Sequence, residues 1–356
     1  MSRILHIPNT LPVSRWPYPR RINAAHEQVS AESAAWLRSF HAFSAEKQVA
    51  FDKCNFGLLA SLTYPDVDED HLRAACDIMN VFFLFDEQTD TVNAARVREL
   101  GDIVIDAVRN PERPRPEGEP VVGEITRQFW VHACVNSTAS GRARFEDAWA
   151  RYVGAVVGQA EDRDAGRLRT TEEYLELRRF TIGTRPCYAL AMLKVDLPLE
   201  VSELPILRNL SDYITDIVFL DNVWHQLSAT LALLTYRPQD LVSYPKEFAV
   251  GDLMHNIITL VMNEKHLDLD AAVAWLAAEH AKRVDGFLAL LPEASSLSFD
   301  SNQVNQALSC YLDHVINWAR GCGCWYFECG RYFGEDGLKV ATEGIVELTA
   351  LKNRDA

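Results

Sequence analysis

No uninterrupted apolar run in this 356-residue sequence reaches the roughly 20 residues a membrane-spanning helix needs. The opening residues, MSRILHIPNTLPVSRWPYPRR, lack the apolar centre of a secretory leader and are interrupted by prolines. Basic residues are in the minority: 35 Lys and Arg against 50 Asp and Glu give a net charge of −15, with no basic stripe, which excludes nucleic acid as the expected partner. The eight cysteines show no disulfide-framework spacing, so reduced thiols and a cytoplasmic setting are expected. Cys322, Cys324 and Cys329 crowd together without a partnering histidine and read as buried thiols rather than a zinc site. Strand-like alternation is almost absent, and neither an internal repeat nor a linker appears. NPERPRPEGEP (110–120) reads as a surface loop inside one domain spanning 1–356.

What the sequence does have is apolar residues, 48% of the total, arranged at three- and four-residue spacing. The segments near 27–42, 45–63, 70–93, 122–137, 143–160, 171–192, 204–222, 247–265, 269–291, 301–332 and 337–352 all show this pattern. The expectation is an all-α bundle of about eleven helices with room for an apolar cavity between them.

FFLFDEQTD (82–90) runs four apolar residues into three acids. Asp86 and Asp90 are four apart and share a helical face with Phe82, one turn earlier. Like charges at that spacing repel unless a cation lies between them, and hard carboxylate oxygens suit Mg2+. In QDLVSYPKE (239–247), Gln239, Ser243 and Glu247 fall at i, i+4 and i+8, again an oxygen-bearing face. RRFTIG (178–183) and the Arg331–Tyr332 pair in CWYFECGRYFG (324–334) supply cationic and phenolic donors that suit phosphate oxygens.

Taken together, in this order, these motifs resemble the class I terpene synthases, specifically the basidiomycete type that makes sesquiterpenes. The resemblance covers nearly the whole chain, from IPNTLP through ESAAWLRSF and CDIMNVFFLFDEQTD to RYFG. The family's aspartate-rich motif matches Asp86–Asp90, with Glu in its second position. Its Asn/Ser/Glu metal motif matches through Ser243 and Glu247, and its Arg-Tyr pair matches Arg331 and Tyr332, 331 − 247 = 84 residues on.

The second metal motif departs from the pattern. The family places an asparagine directly before the aspartate, whereas Gln239 precedes Asp240 here. Removing 223–239 would join DIVFLDN (216–222) to DLVSYPKE and restore the motif with Asn222 as first ligand. The excess is 239 − 222 = 17 residues, or 51 nucleotides. Val codons begin GT and one Gln codon ends AG, as a retained intron would require; a true insertion is the other origin. Seventeen more helical residues would carry Asn222 about 25 Å from its place, so either the segment loops out or Gln239 substitutes.

The resemblance implies Mg2+-dependent ionisation of farnesyl diphosphate. Three Mg2+ ions would be held by Asp86, helped by Asp90, and by Asn222, Ser243 and Glu247. Arg331, Tyr332 and one of Arg178 or Arg179, with Arg179 preferred for its four-residue spacing from Gly183, would grip the diphosphate. Phe82, Trp318 and Trp325 are the candidate cavity aromatics facing the cation. Similarity is greatest to the branch that closes the farnesyl chain through a humulyl cation to protoilludene-like products. Two alternatives stand beside this reading: a helical protein impaired by a broken second metal motif, and a chain-elongating prenyltransferase.

Overall fold

The computed structural model describes residues 3–6, 16–234 and 257–348. Helices dominate them, and their starts are written in side-chain caps. Asp68, Asn93, Thr138, Asp268 and Ser301 each accept a hydrogen bond from a first-turn backbone N–H. Thr170 and Glu173 form a reciprocal capping box. The loop expected at 110–120 connects the helices Ala94–Arg109 and Val122–Ala133. Arg115 ties it down by pairing with Asp106 and Glu119.

Three long helices form the backbone of the bundle. Pro205–Leu234 packs against both Leu269–Ser296 and Asn302–Glu328, and the last of these lies on Phe56–Thr63. The core runs on through Glu69–Thr89 to Val122–Ala133 and Ala139–Ala165, where fully buried Trp130, Phe145 and Trp149 form a stacked series. A second apolar cluster joins Phe219, Leu220 and Val223 to Ile257, Leu260 and Leu276. Upstream of the first helix, Trp16 stacks on Phe287 at 4.9 Å and Arg20 makes a two-pronged contact with Glu328, so residues 16–20 lie across the late helices.

The structure departs from sequence expectation at several places, beginning with the helix Ala94–Arg109, which the pattern passed over, and the helix Pro205–Leu234, which runs beyond the expected 222. The 45–63 pattern is two helices, Ala45–Lys53 and Phe56–Thr63, because Asn55 adopts φ +49° and its side chain caps Leu58. The 171–192 pattern breaks after Thr181, with Gly183 at φ +79° before a new helix, Thr184–Ala191. The helix expected at 301–332 stops at Glu328, leaving Arg331 and Tyr332 in the turn that follows. The final helix ends at Glu343, where left-handed Gly344 turns the chain into a strand, Ile345–Leu348, paired antiparallel with Arg3–His6. That ribbon was not legible as alternation, since its strands are only four residues each. No helix among the described residues is long and apolar enough to cross a membrane.

Candidate active site

The aspartate face forms where the helix Glu69–Thr89 ends. Asp86 lies in its last turn and Asp90 is its C-cap, both exposed, and the Asp90 N–H donates to Asp86 O at 3.0 Å. A helix C-terminus carries partial negative charge, so two carboxylates there are disfavoured by the dipole as well as by each other. Such a placement calls for a cation. Phe82, on the same face but buried, meets Tyr152 edge-on at 4.9 Å. Burial, then Asp86 and Asp90, push the Tyr152 phenol well above its ordinary range, with Arg178 pulling the other way. The two acids and Arg178 therefore share one electrostatic neighbourhood.

Arg331 closes a second side. Its guanidinium lies 5.2 Å from the Phe83 ring centre and 5.9 Å from that of Tyr332, and Nη1 donates to Cys54 Sγ at 3.6 Å. Burial disfavours its charge, but Tyr332, Cys54 and Asp86 outweigh that and hold the proton more firmly than usual. Tyr332 is 8% exposed, and its phenol is pushed up by burial against the opposing pull of Arg331.

Asn222 faces this pair. Its Nδ2 donates to Tyr332 Oη at 3.1 Å, which leaves Oδ1 as the atom able to coordinate a cation. The helix bearing it does not stop there: Pro205–Leu234 continues through Asn222 without a break, so the segment after it does not loop out at once. Val223 and His225 are buried, and His225 stacks on Tyr326 at 4.6 Å and meets Phe327 edge-on. Ser243, Glu247 and the alternative ligand Gln239 lie outside the described residues.

The two neighbouring arginines part company. Arg179, favoured by its spacing from Gly183, makes a two-pronged bond to Asp216 at 2.7 Å on each arm. Asp216 also accepts from Arg283 Nε at 2.9 Å, and Arg283 in turn pairs with Glu279. The shared-face reasoning fails because the helix ends at Thr181 and Gly183 lies beyond it. Among the described residues Arg178 donates to Thr181 Oγ1 alone and its buried Nε finds no partner, while its charge reaches Tyr152.

Of the candidate aromatics, Phe82 adjoins the aspartate face and Trp325 meets Tyr332 edge-on at 5.7 Å. Trp318 lies apart from them, between Tyr64 and Tyr188 at 5.9 Å from each, its buried Nε1 without a partner among the described residues. Cys322 and Cys329 are buried, as read, whereas Cys324 is only half-buried; among the described residues no group of three His, Cys, Asp or Glu is gathered to hold a metal. Beside Asp86 and Asp90, the Asn222 amide oxygen is a further candidate donor among the described residues. All are hard oxygen donors, which fits a divalent hard cation. Sequence reasoning missed Tyr152, Phe83 and Cys54, for which apolar spacing gives no signal beyond core.

Comparison with known proteins places the chain in a family. Residues 77–286 match the family profile described as terpene synthase family 2, C-terminal metal binding. The chain is 43% identical to sesquiterpene synthase 14 of Postia placenta, over 97% of this chain and 92% of the relative. It is 42% identical to delta(6)-protoilludene synthase 18 of the same organism (99% and 94%) and 38% identical to delta(6)-protoilludene synthase of Armillaria gallica (98% and 94%). Among solved structures it resembles germacradien-4-ol synthase from Streptomyces citricolor (TM-score 0.69, 22% identity, 87% and 98% covered). It also resembles an α-eudesmol synthase (TM-score 0.71, 17% identity, 88% and 97% covered). The chain belongs to the terpene synthase family, as a sesquiterpene synthase of the basidiomycete type.

Proposed function

We propose that the chain ionises (2E,6E)-farnesyl diphosphate and cyclises the resulting cation, by 1,11-closure to a humulyl cation, to a protoilludene-like hydrocarbon. The observation that supports it most is the meeting of the aspartate face, Arg331 and the Asn222–Tyr332 pair around one rim. Relatives named protoilludene synthases, aligned over nearly the full length, support the product class. The reading takes residues 1–356 as one catalytic domain in the cytoplasm.

Bound Mg2+, three ions in this reading, supplies the positive charge that stabilises the leaving diphosphate. Asp86 with Asp90 would hold it on one side, and Asn222 with Ser243 and Glu247 on the other. Arg331 and Tyr332 grip the diphosphate oxygens as the allylic C–O bond breaks and its electron pair leaves on oxygen. We assign Arg178 rather than Arg179 as their partner, because Asp216 already engages Arg179. Phe82 and Trp325 present aromatic faces to the cation, with Trp318 further along the wall, and the apolar surround keeps water from quenching it. A final proton loss gives the hydrocarbon.

One observation favours a second reading. The unbroken Pro205–Leu234 helix keeps Ser243 and Glu247 from following Asn222 at i+4 and i+8, so this chain is an impaired cyclase unless a later segment returns to the site. Incubating the purified protein with farnesyl diphosphate and Mg2+, then extracting for gas chromatography, separates the readings. A tricyclic hydrocarbon is expected. Diphosphate binding without any hydrocarbon favours the impaired form, and a longer prenyl diphosphate would identify a chain-elongating enzyme.

A further inference from the structure

We infer that Cys54 is a positioning residue for Arg331: its thiol, together with the Phe83 ring, fixes the guanidinium in the orientation that grips the diphosphate. This rests on the proposed role of Arg331 as a diphosphate ligand.

The contact is built in from two directions. Left-handed Asn55 ends the Ala45–Lys53 helix and exposes the carbonyls of residues 53–55. Gly330 N–H donates to Lys53 O at 2.9 Å, and Trp325 Nε1 donates to Cys54 O at 2.9 Å. A side chain on residue 330 would begin 3.0 Å from Lys53 O, tighter than ordinary contact, so glycine eases the approach. Cys54, 7% exposed, is thereby set under the residue that follows Gly330. Arg331 Nη1 donates to its Sγ at 3.6 Å while the guanidinium spreads over Phe83, which is itself stacked on Phe56. The head group is thus fixed from its edge and from its face.

The choice of a thiol has a chemical reason. Burial raises the Cys54 thiol, against an opposing pull from Arg331, so the sulfur stays neutral. A neutral sulfur is a weak acceptor. It orients the arginine without neutralising it, and the positive charge stays available to the diphosphate. Arg179 shows the opposite case, its charge taken up by the Asp216 carboxylate.

The test is a double-mutant cycle read by calorimetric titration with inorganic diphosphate in the presence of Mg2+. Cys54→Ala is expected to weaken binding about fivefold, and to have no further effect when Arg331→Ala is already present. Cys54→Ser keeps an acceptor and is expected to recover most of the loss. Full additivity of Cys54→Ala and Arg331→Ala, or parental affinity in Cys54→Ala, overturns the positioning role. Parental affinity in Arg331→Ala alone instead overturns the assignment of Arg331, and the inference falls with it. Should Cys54→Ala fail to melt cooperatively, Cys54→Val fills the same space without an acceptor and carries the same cycle.

Discussion

Asn222 and Tyr332, 110 residues apart in sequence, meet through an amide-to-phenol hydrogen bond of 3.1 Å. The contact joins the long helix that carries the candidate metal ligand to the turn that carries the diphosphate grip. Motion at one is therefore felt at the other. A single buried hydrogen bond of this kind contributes about 1 kcal/mol to stability, so its larger effect should be on geometry.

Tyr332→Phe removes the acceptor while keeping the ring against Trp325 and Tyr326. Melting temperature should change little. The Mg2+ concentration giving half-maximal diphosphate binding should rise by about threefold or more, since freeing Asn222 costs order at the ligand. A Mg2+ titration at fixed diphosphate checks this, and an unchanged midpoint would remove Asn222 from the site.

Asp86→Ala should abolish turnover and leave helical content unaltered, because an exposed side chain at a helix end contributes little to stability. Asp90→Ala should cost less turnover. Parental turnover in Asp86→Ala would contradict the metal reading.

Arg178 and Arg179 should separate by assay. Arg179→Ala leaves Asp216, 1% exposed on its side chain, with Arg283 as its one remaining cation among the described residues, and should destabilise the fold by about 3 kcal/mol. Arg178→Ala should instead weaken diphosphate binding with a small change in melting temperature. Urea unfolding beside a binding titration reads both quantities, and the reverse pattern would restore Arg179 to the diphosphate.

These two arginines also show how far the sequence could be read. Periodicity recovers most helices because buried stripes recur every three to four residues, and the caps at Asp68, Thr170 and Ser301 mark their starts. The acid pair was legible because repulsion at four-residue spacing calls for a counter-ion. What stayed hidden depends on backbone sign or on distant partners. Nothing local tells that Gly183 breaks the helix beside Arg179, or that Asp216, 37 residues on, captures it. Cys54 reads as one more core residue until Gly330 brings Arg331 to it. The Arg3–His6 ribbon pairs the two ends of the described chain, a contact that no local window contains.

Acid should destabilise the protein in part through its buried histidines. Burial, then the neighbouring His71, lowers the His314 pKa to about 4 from its ordinary 6.5, with Asp66 opposing. Burial also lowers His71, whose Nε2 lies 2.8 Å from Leu190 O. A histidine held neutral in the fold binds fewer protons than the unfolded chain below pH 6.5. Its stabilising contribution is therefore complete above that pH and is lost as pH falls toward 4, by up to about 3 kcal/mol for His314. Urea unfolding at pH 7.0, 5.5 and 4.5 should show this slope, and His314→Gln should flatten it. An unchanged slope would place the acid sensitivity elsewhere.

The helix through Asn222 sets the last prediction. One and two turns beyond Asn222 on the Pro205–Leu234 helix, positions 226 and 230 hold Gln and Thr, where the family motif has Ser and Glu. In sequence, then, the i+4 and i+8 positions after Asn222 carry no carboxylate, and hard cations bind more weakly to neutral oxygens alone. Deleting Val223–Gln239 brings Asp240, Ser243 and Glu247 directly after Asn222 and restores the trio. The deletion also has a cost, because it sets Asp240 in the place of Val223, which is 5% exposed, and removes buried His225 from against Tyr326. Apo stability should therefore fall, while the stabilisation produced by Mg2+ with diphosphate should grow, since ligand binding to the folded state alone shifts unfolding by mass action. The double variant Gln226→Ser with Thr230→Glu restores the same trio and leaves Val223 and His225 untouched, so it should gain the ligand-induced shift without the apo loss. Melting curves of all three forms with and without Mg2+ and diphosphate, beside a product assay, decide the matter. If the parent shows the largest ligand-induced shift and the highest turnover, the 17 residues are a working part of the enzyme and Gln239 becomes the ligand to test.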